Sequence, residues 1–152
     1  MAEAPAPHQG PHAGSPVLIA GQALDRATAA MVLVHGRGAT AEGILSLATE
    51  LAHPGFAFLA PQATGNTWYP FSFMSPIERN EPYLSGELDA LAAVLERISE
   101  AGIPPERTIL LGFSQGACLA LEFAARHPQR YVTALGPRRD LDRVGQRIHP
   151  GL

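Results

Sequence analysis

The residue in this chain best suited to chemistry is Ser114. It stands in Gly112-Phe113-Ser114-Gln115-Gly116, between an apolar run, "TILLGF", and a second apolar stretch with helical spacing. A strand that turns straight into a helix brings two backbones together. The residues two places before and after the turn must then be small, as both glycines are. The turn forces its central residue into a strained conformation that lifts the hydroxyl away from the sheet, in the manner of a nucleophile elbow. The N-terminus of the following helix lies behind that hydroxyl, where free amides and the positive end of the helix dipole stabilise developing negative charge. The plainer reading of the same residues is a strand-to-helix loop whose serine caps the helix.

A second segment points the same way. "VLVHGRGAT" (Val32 to Thr40) puts His35-Gly36-Arg37-Gly38 directly after a β-branched run. Glycines there let a backbone amide approach a reacting carbonyl, as an oxyanion hole requires. The alternative is a glycine turn that merely leads into the next helix.

Around these two segments the chain alternates between strand and helix signals. Strands are expected at Val17–Gly21, Met31–Gly36, Phe56–Pro61, Thr108–Phe113 and Tyr131–Leu135. A helix should start at the N-cap Thr40, with Glu42 in its first turn and an end at His53-Pro54-Gly55. A longer helix is marked by Leu84, Leu88, Leu91, Leu95 and Ile98, and is stopped by Gly102 and Pro104-Pro105. A third runs from Gln115 to about His127. The fold class that follows is α/β: an open, mainly parallel sheet with helices on both faces and its C-terminal strands missing. By composition, residues 1–16 form a disordered Pro/Ala/Gly arm, 17–136 a partial α/β domain, and 137–152 an atypical Arg-rich tail.

Apolar residues make up 46% of the chain and charged residues 16%, a globular balance. The net charge of −3 offers nothing to a nucleic acid. All eleven Lys/Arg positions are arginine, which reads as gene composition rather than function. The single cysteine, Cys118, suits a reducing compartment, and no apolar run would span a bilayer. With no signal-peptide pattern, a cytoplasmic location is expected. No metal or organic cofactor is implied: His8 and His12 lie in the Pro/Gly-rich arm without a ligand cluster.

Three segments, "VLVHGRGAT", "LAPQATGNTWYPFSF" and "ILLGFSQGACLALEFAARHP", resemble the phospholipase/carboxylesterase branch of the α/β-hydrolases, relatives of the acyl-protein thioesterases. The resemblance covers about Met31 to Tyr131. It implies that Ser114 is the nucleophile and that the backbone amides of Arg37 and Gln115 form the oxyanion hole. It also implies a substrate site built from His35, Gly36, Gly38, Trp68, Tyr69, Phe71, Phe73 and Met74. The alternative for the aromatic loop is packing over the sheet edge. The substrate would be a small-molecule ester or thioester.

The base is harder to place. In such enzymes the acid and histidine follow the serine on later strands, each delivered from a separate strand end. The tail "VTALGPRRDLDRVGQRIHPGL" offers Asp140, Asp142 and His149 in that order, but with no strand between Asp140 and His149. His35 reads as an anchor of its loop, and His53 and His127 as helix-end residues. The expectation is therefore the front of a serine hydrolase, as a truncated or frameshifted product would present it. Its activity would be weak, or lost to leave an acyl- or aryl-binding remnant. An open sheet edge would invite self-association.

Overall fold

The computed structural model describes residues 16–50, 54–71, 75–127 and 132–136. Besides two single 3-10 turns at Thr64–Asn66 and Pro105–Arg107, five strands and four α-helices occupy them. In chain order these are β1 (Val17–Gly21), β2 (Ala29–Val34), α1 (Ala41–Glu50), β3 (Phe56–Pro61), α2 (Ile77–Asn80), α3 (Tyr83–Glu100), β4 (Thr108–Phe113), α4 (Gln115–Arg126) and β5 (Val132–Gly136). The strands form one sheet in the order β1-β3-β2-β4-β5.

β2 to β5 are mutually parallel, while β1 runs antiparallel to β3, with Val17 opposite Pro61 and Gly21 opposite Ala57. The segment joining β1 to β2 explains this. A parallel crossover needs a dozen or more residues, and 22–28 is too short, so the chain reverses. Pro16, the last residue of the arm expected from composition, accepts a hydrogen bond at its carbonyl from Gln62 N at 2.9 Å. The rest of that arm lies outside the described residues.

The apolar runs read as strands are continuous because both faces of the sheet are covered. On one face Val32, Val34, Ala57, Leu59 and Leu110 pack against α3 and α4, where Leu88, Leu91, Leu95, Ile98, Leu119 and Phe123 are buried. On the other, Leu33, Phe58 and Ala60 pack against Ala41, Ile44 and Ala48 of α1. Adjacent strand residues thus serve opposite cores. Each fully buried leucine contributes roughly 1.5–3 kcal/mol of transfer free energy.

Helix ends follow their sequence signals. The Thr40 hydroxyl accepts from Gly43 N at 3.0 Å, capping α1. Gly102 takes φ +91°, and Ile103 N closes the end of α3 onto the Ile98 carbonyl at 3.3 Å. The expected end of α1 at His53 lies outside the described residues. β2 is displaced two residues toward the N-terminus from its expected span, ending at Val34 rather than Gly36. The reason is that His35 and Gly36 already belong to the loop, which closes with Ala39 N on the Gly36 carbonyl at 3.1 Å.

Candidate active site

The register of the parallel strands assembles the site. Val34 at the end of β2 lies opposite Gly112 in β4. The residues after β2 and after β4 therefore emerge side by side at the carboxyl edge of the sheet, where open α/β sheets bind ligands. β3 ends at the same edge and feeds the loop that carries the aromatic residues.

Ser114 sits between β4 and α4 with φ 53° and ψ −117°, and it is exposed. A left-handed conformation at a serine costs on the order of 1–3 kcal/mol and persists only where the surroundings impose it. The surroundings are the expected glycines. A Cβ on Gly112 would stand 2.5 Å from the Gly116 carbonyl oxygen and 2.7 Å from Ala117 Cα. A Cβ on Gly116 would stand 2.5 Å from the His35 carbonyl oxygen, and closer still to that of Val34. The helix thus enters against the bare backbone of β2.

The glycine loop lies against the elbow. A Cβ on Gly36 would come within 3.5 Å of Ser114 Cβ and 3.2 Å of the Phe113 carbonyl oxygen. Gly38 has φ +75° and donates from its amide to Asn66 O at 2.7 Å. Among the described residues the backbone amides of Arg37 and Gln115 donate to nothing. The first belongs to the residue after Gly36 on the glycine loop, the second to the first residue of α4, next to Ser114.

Side chains then tie the aromatic loop to this framework. Gln115 Oε1 accepts from Trp68 N at 2.8 Å, and its Nε2 donates to the Tyr69 carbonyl at 2.9 Å. Arg37 Nη2 donates to the carbonyls of Tyr69, at 3.1 Å, and Pro70. His35, 1% exposed, accepts at Nε2 from Ala63 N at 3.1 Å and hydrogen-bonds through Nδ1 to the Gly36 carbonyl at 2.8 Å. Its ring stacks on Trp68 at 4.7 Å, and Trp68 Nε1 donates to the His35 carbonyl at 2.7 Å. Burial holds the His35 pKa below the usual histidine value, against a smaller opposing pull from the Gly36 carbonyl. Burial also drives the Tyr69 phenol well above its ordinary range, with Cys118 adding to the shift. Both groups stay uncharged at neutral pH.

The expected substrate-lining residues divide. Trp68 and Tyr69 are 1% and 4% exposed and belong to the core, so they pack over the sheet instead of opening to solvent. His35 likewise anchors its loop. Phe71 is exposed, with its amide held by Asn80 Oδ1 at 2.9 Å and the Arg79 guanidinium 5.6 Å from its ring. Phe113, beside Ser114, is exposed too and carried no sequence signal beyond its place in the pentapeptide. Phe73 and Met74 lie outside the described residues. So do Asp140, Asp142 and His149, together with His8, His12 and His53. His127 closes the far end of α4 and stacks on Phe123 at 4.2 Å, a helix length away from Ser114. The side-chain roles of Gln115, Arg37 and Asn80 had no sequence signature, because each depends on a backbone group distant along the chain.

Residues 19–137 match the model of the phospholipase/carboxylesterase family. The chain belongs to that family. Among solved structures, a phospholipase/carboxylesterase from Dyadobacter fermentans DSM 18053 is 42% identical, with a TM-score of 0.76 over 82% of this chain and 59% of its own. A carboxylesterase from Mesorhizobium loti shares the fold at 22% identity, with a TM-score of 0.59 over 80% of this chain and 63% of its own. NocK from Nocardia uniformis subsp. tsuyamanensis, to which its name ascribes esterase activity, is 32% identical over 78% of this chain. The chain spans 33% of the length of NocK. The open α/β sheet expected from the sequence is thus the fold of this family of hydrolases.

Proposed function

We propose that this member of the phospholipase/carboxylesterase family cleaves small-molecule carboxylic esters or thioesters in the cytoplasm through Ser114. The observation that carries the reading is the exposed Ser114 at φ 53°, packed against Gly36 and backed by the start of α4. In the reaction Ser114 Oγ attacks the acyl carbon and gives its proton to a base. The carbonyl oxygen becomes an oxyanion, held by the Arg37 and Gln115 amides. The alcohol or thiol leaves with a proton, and water then releases the acid from the acyl-serine. His149 and Asp140 are the candidates for base and acid. An unaligned pair would leave slow turnover, since the oxyanion hole and binding alone retain roughly 10³–10⁴-fold over water.

A second reading, an acyl- or aryl-binding remnant without turnover, is favoured by one observation. Among the described histidines, His35 is engaged at both ring nitrogens and His127 sits at the distal end of α4. p-Nitrophenyl butyrate hydrolysis by the native chain, Ser114→Ala and His149→Ala separates the two. Activity lost in both variants supports the enzyme and its base. Equal rates in the native chain and Ser114→Ala would leave the binding reading. Self-association would run through the outer edge of β5, which pairs with β4 alone among the described residues.

A further inference from the structure

We propose that the side chain of Gln115, separately from its backbone amide, is a positioning residue that locks the aromatic loop to the nucleophile elbow. It thereby sets discrimination between large and small acyl groups. The inference rests on the esterase reading for its consequence, but the contacts stand independently of it. One carboxamide bridges two consecutive backbone groups of the loop, accepting from Trp68 N and donating to the Tyr69 carbonyl, at 2.8 and 2.9 Å. Gln115 is 8% exposed and both bonds are buried, so they are shielded from competing water. Glutamine suits this task because it alone among uncharged long side chains offers a donor and an acceptor on one planar head.

The bridge matters because of what stands at each end. Gln115 is the residue after Ser114 and the first of α4, so its Cα moves with the serine. Beyond Tyr69 the same loop exposes Phe71, an apolar ring two residues past the bridged carbonyl. Arg37 grips the Tyr69 carbonyl from the glycine loop as well, so that one oxygen receives hydrogen bonds from both walls of the serine site. Serine, glycine loop and aromatic loop become a single body. A large acyl group that lies along the loop depends on this registration, whereas a methyl-sized group that meets only the serine and the amides does not.

The test compares the full chain with Gln115→Met, which keeps the volume and loses both bonds, and Gln115→Glu, which keeps the acceptor for Trp68 N. Amide hydrogen exchange should show Trp68 N–H exchanging about tenfold or more faster in Gln115→Met, with α3 amides unchanged and protection largely restored in Gln115→Glu. Labelling of Ser114 by a long-chain fluorophosphonate should slow at least about tenfold more than labelling by a methyl-sized one. Unchanged Trp68 exchange in Gln115→Met overturns the clamp. Equal slowing with both probes overturns the discrimination, and faster exchange throughout α3 reduces Gln115 to a packing residue. If the native chain does not label, the esterase reading fails, while the exchange experiment still decides the clamp.

Discussion

A methyl group at Gly116 would stand 2.5 Å from the His35 carbonyl oxygen and 2.7 Å from the Val34 carbonyl carbon, with the Val34 oxygen nearer still. All three are backbone atoms of the β2 end and the loop after it, so no side chain can swing aside. Gly116 lies within α4, where alanine would otherwise be preferred to glycine by about 0.5–1 kcal/mol. The clash must outweigh that preference. To restore ordinary contact α4 has to retreat from β2 by about an ångström, and overpacking of this kind costs roughly 1–3 kcal/mol. The retreat also stretches the two Gln115 hydrogen bonds to the aromatic loop, each worth about 0.5–1.5 kcal/mol. Gly116→Ala should therefore lose about 2–4 kcal/mol net, moving a urea midpoint down by about 1–2 M. Fluorophosphonate labelling of Ser114 should fall with it at urea concentrations where both proteins are folded. Gly43→Ala in α1 is the control, because its Cβ would meet only the capping Thr40 Oγ1, at 3.2 Å, a contact that a shift of a few tenths of an ångström relieves with the cap kept. It should be neutral or slightly stabilising. A Gly116→Ala protein with the native midpoint and labelling rate would refute the close helix entry on which the site depends.

Two further outcomes follow from the same geometry. Ser114→Gly releases the left-handed strain, and after the entropic disadvantage of glycine should raise stability by about 1 kcal/mol, or about 2–4 °C in Tm. Ser114→Ala, which keeps the strained backbone, should show no such gain in the same melt; equal shifts in both would argue against stored strain. The lowered pKa of His35 gives a pH dependence of definite sign. Above the unfolded histidine value the neutral ring contributes fully. As pH falls from there through the lower folded value, the unfolded chain takes up the proton first and stability declines. Thermal melts from pH 8 to 5 should show this decline in the native chain and less of it in His35→Phe, measured relative to that variant's own value at pH 8. Parallel curves would remove His35 as its source.

Much of the site was legible along the chain because its logic is local. A serine between two glycines at the junction of "TILLGF" and an apolar helix describes a turn whose constraints come from neighbours within a few residues. The structure finds both glycines in contact with backbone. The helical spacing of Leu84 to Ile98 and the Thr40 cap are local in the same sense. The aromatic loop was not legible. Trp68 and Tyr69 look like pocket residues by type, yet their burial is settled by His35 and Gln115, which lie far away in sequence. The direction of β1 is not written in its residues, because hydrophobic runs carry no sign of which strand they will join.

The strained corner at Ser114 and the two-sided burial of its strands are written in the chain, since both are imposed by residue size and periodicity over short spans. Tertiary structure alone decided that the glycine loop meets that corner, through the pairing of Val34 with Gly112. It alone also decided that the side chains of Gln115 and Arg37 hold the third loop. Strand register and long-range hydrogen bonds arise from chain closure, where partners come together only once the whole sheet has formed.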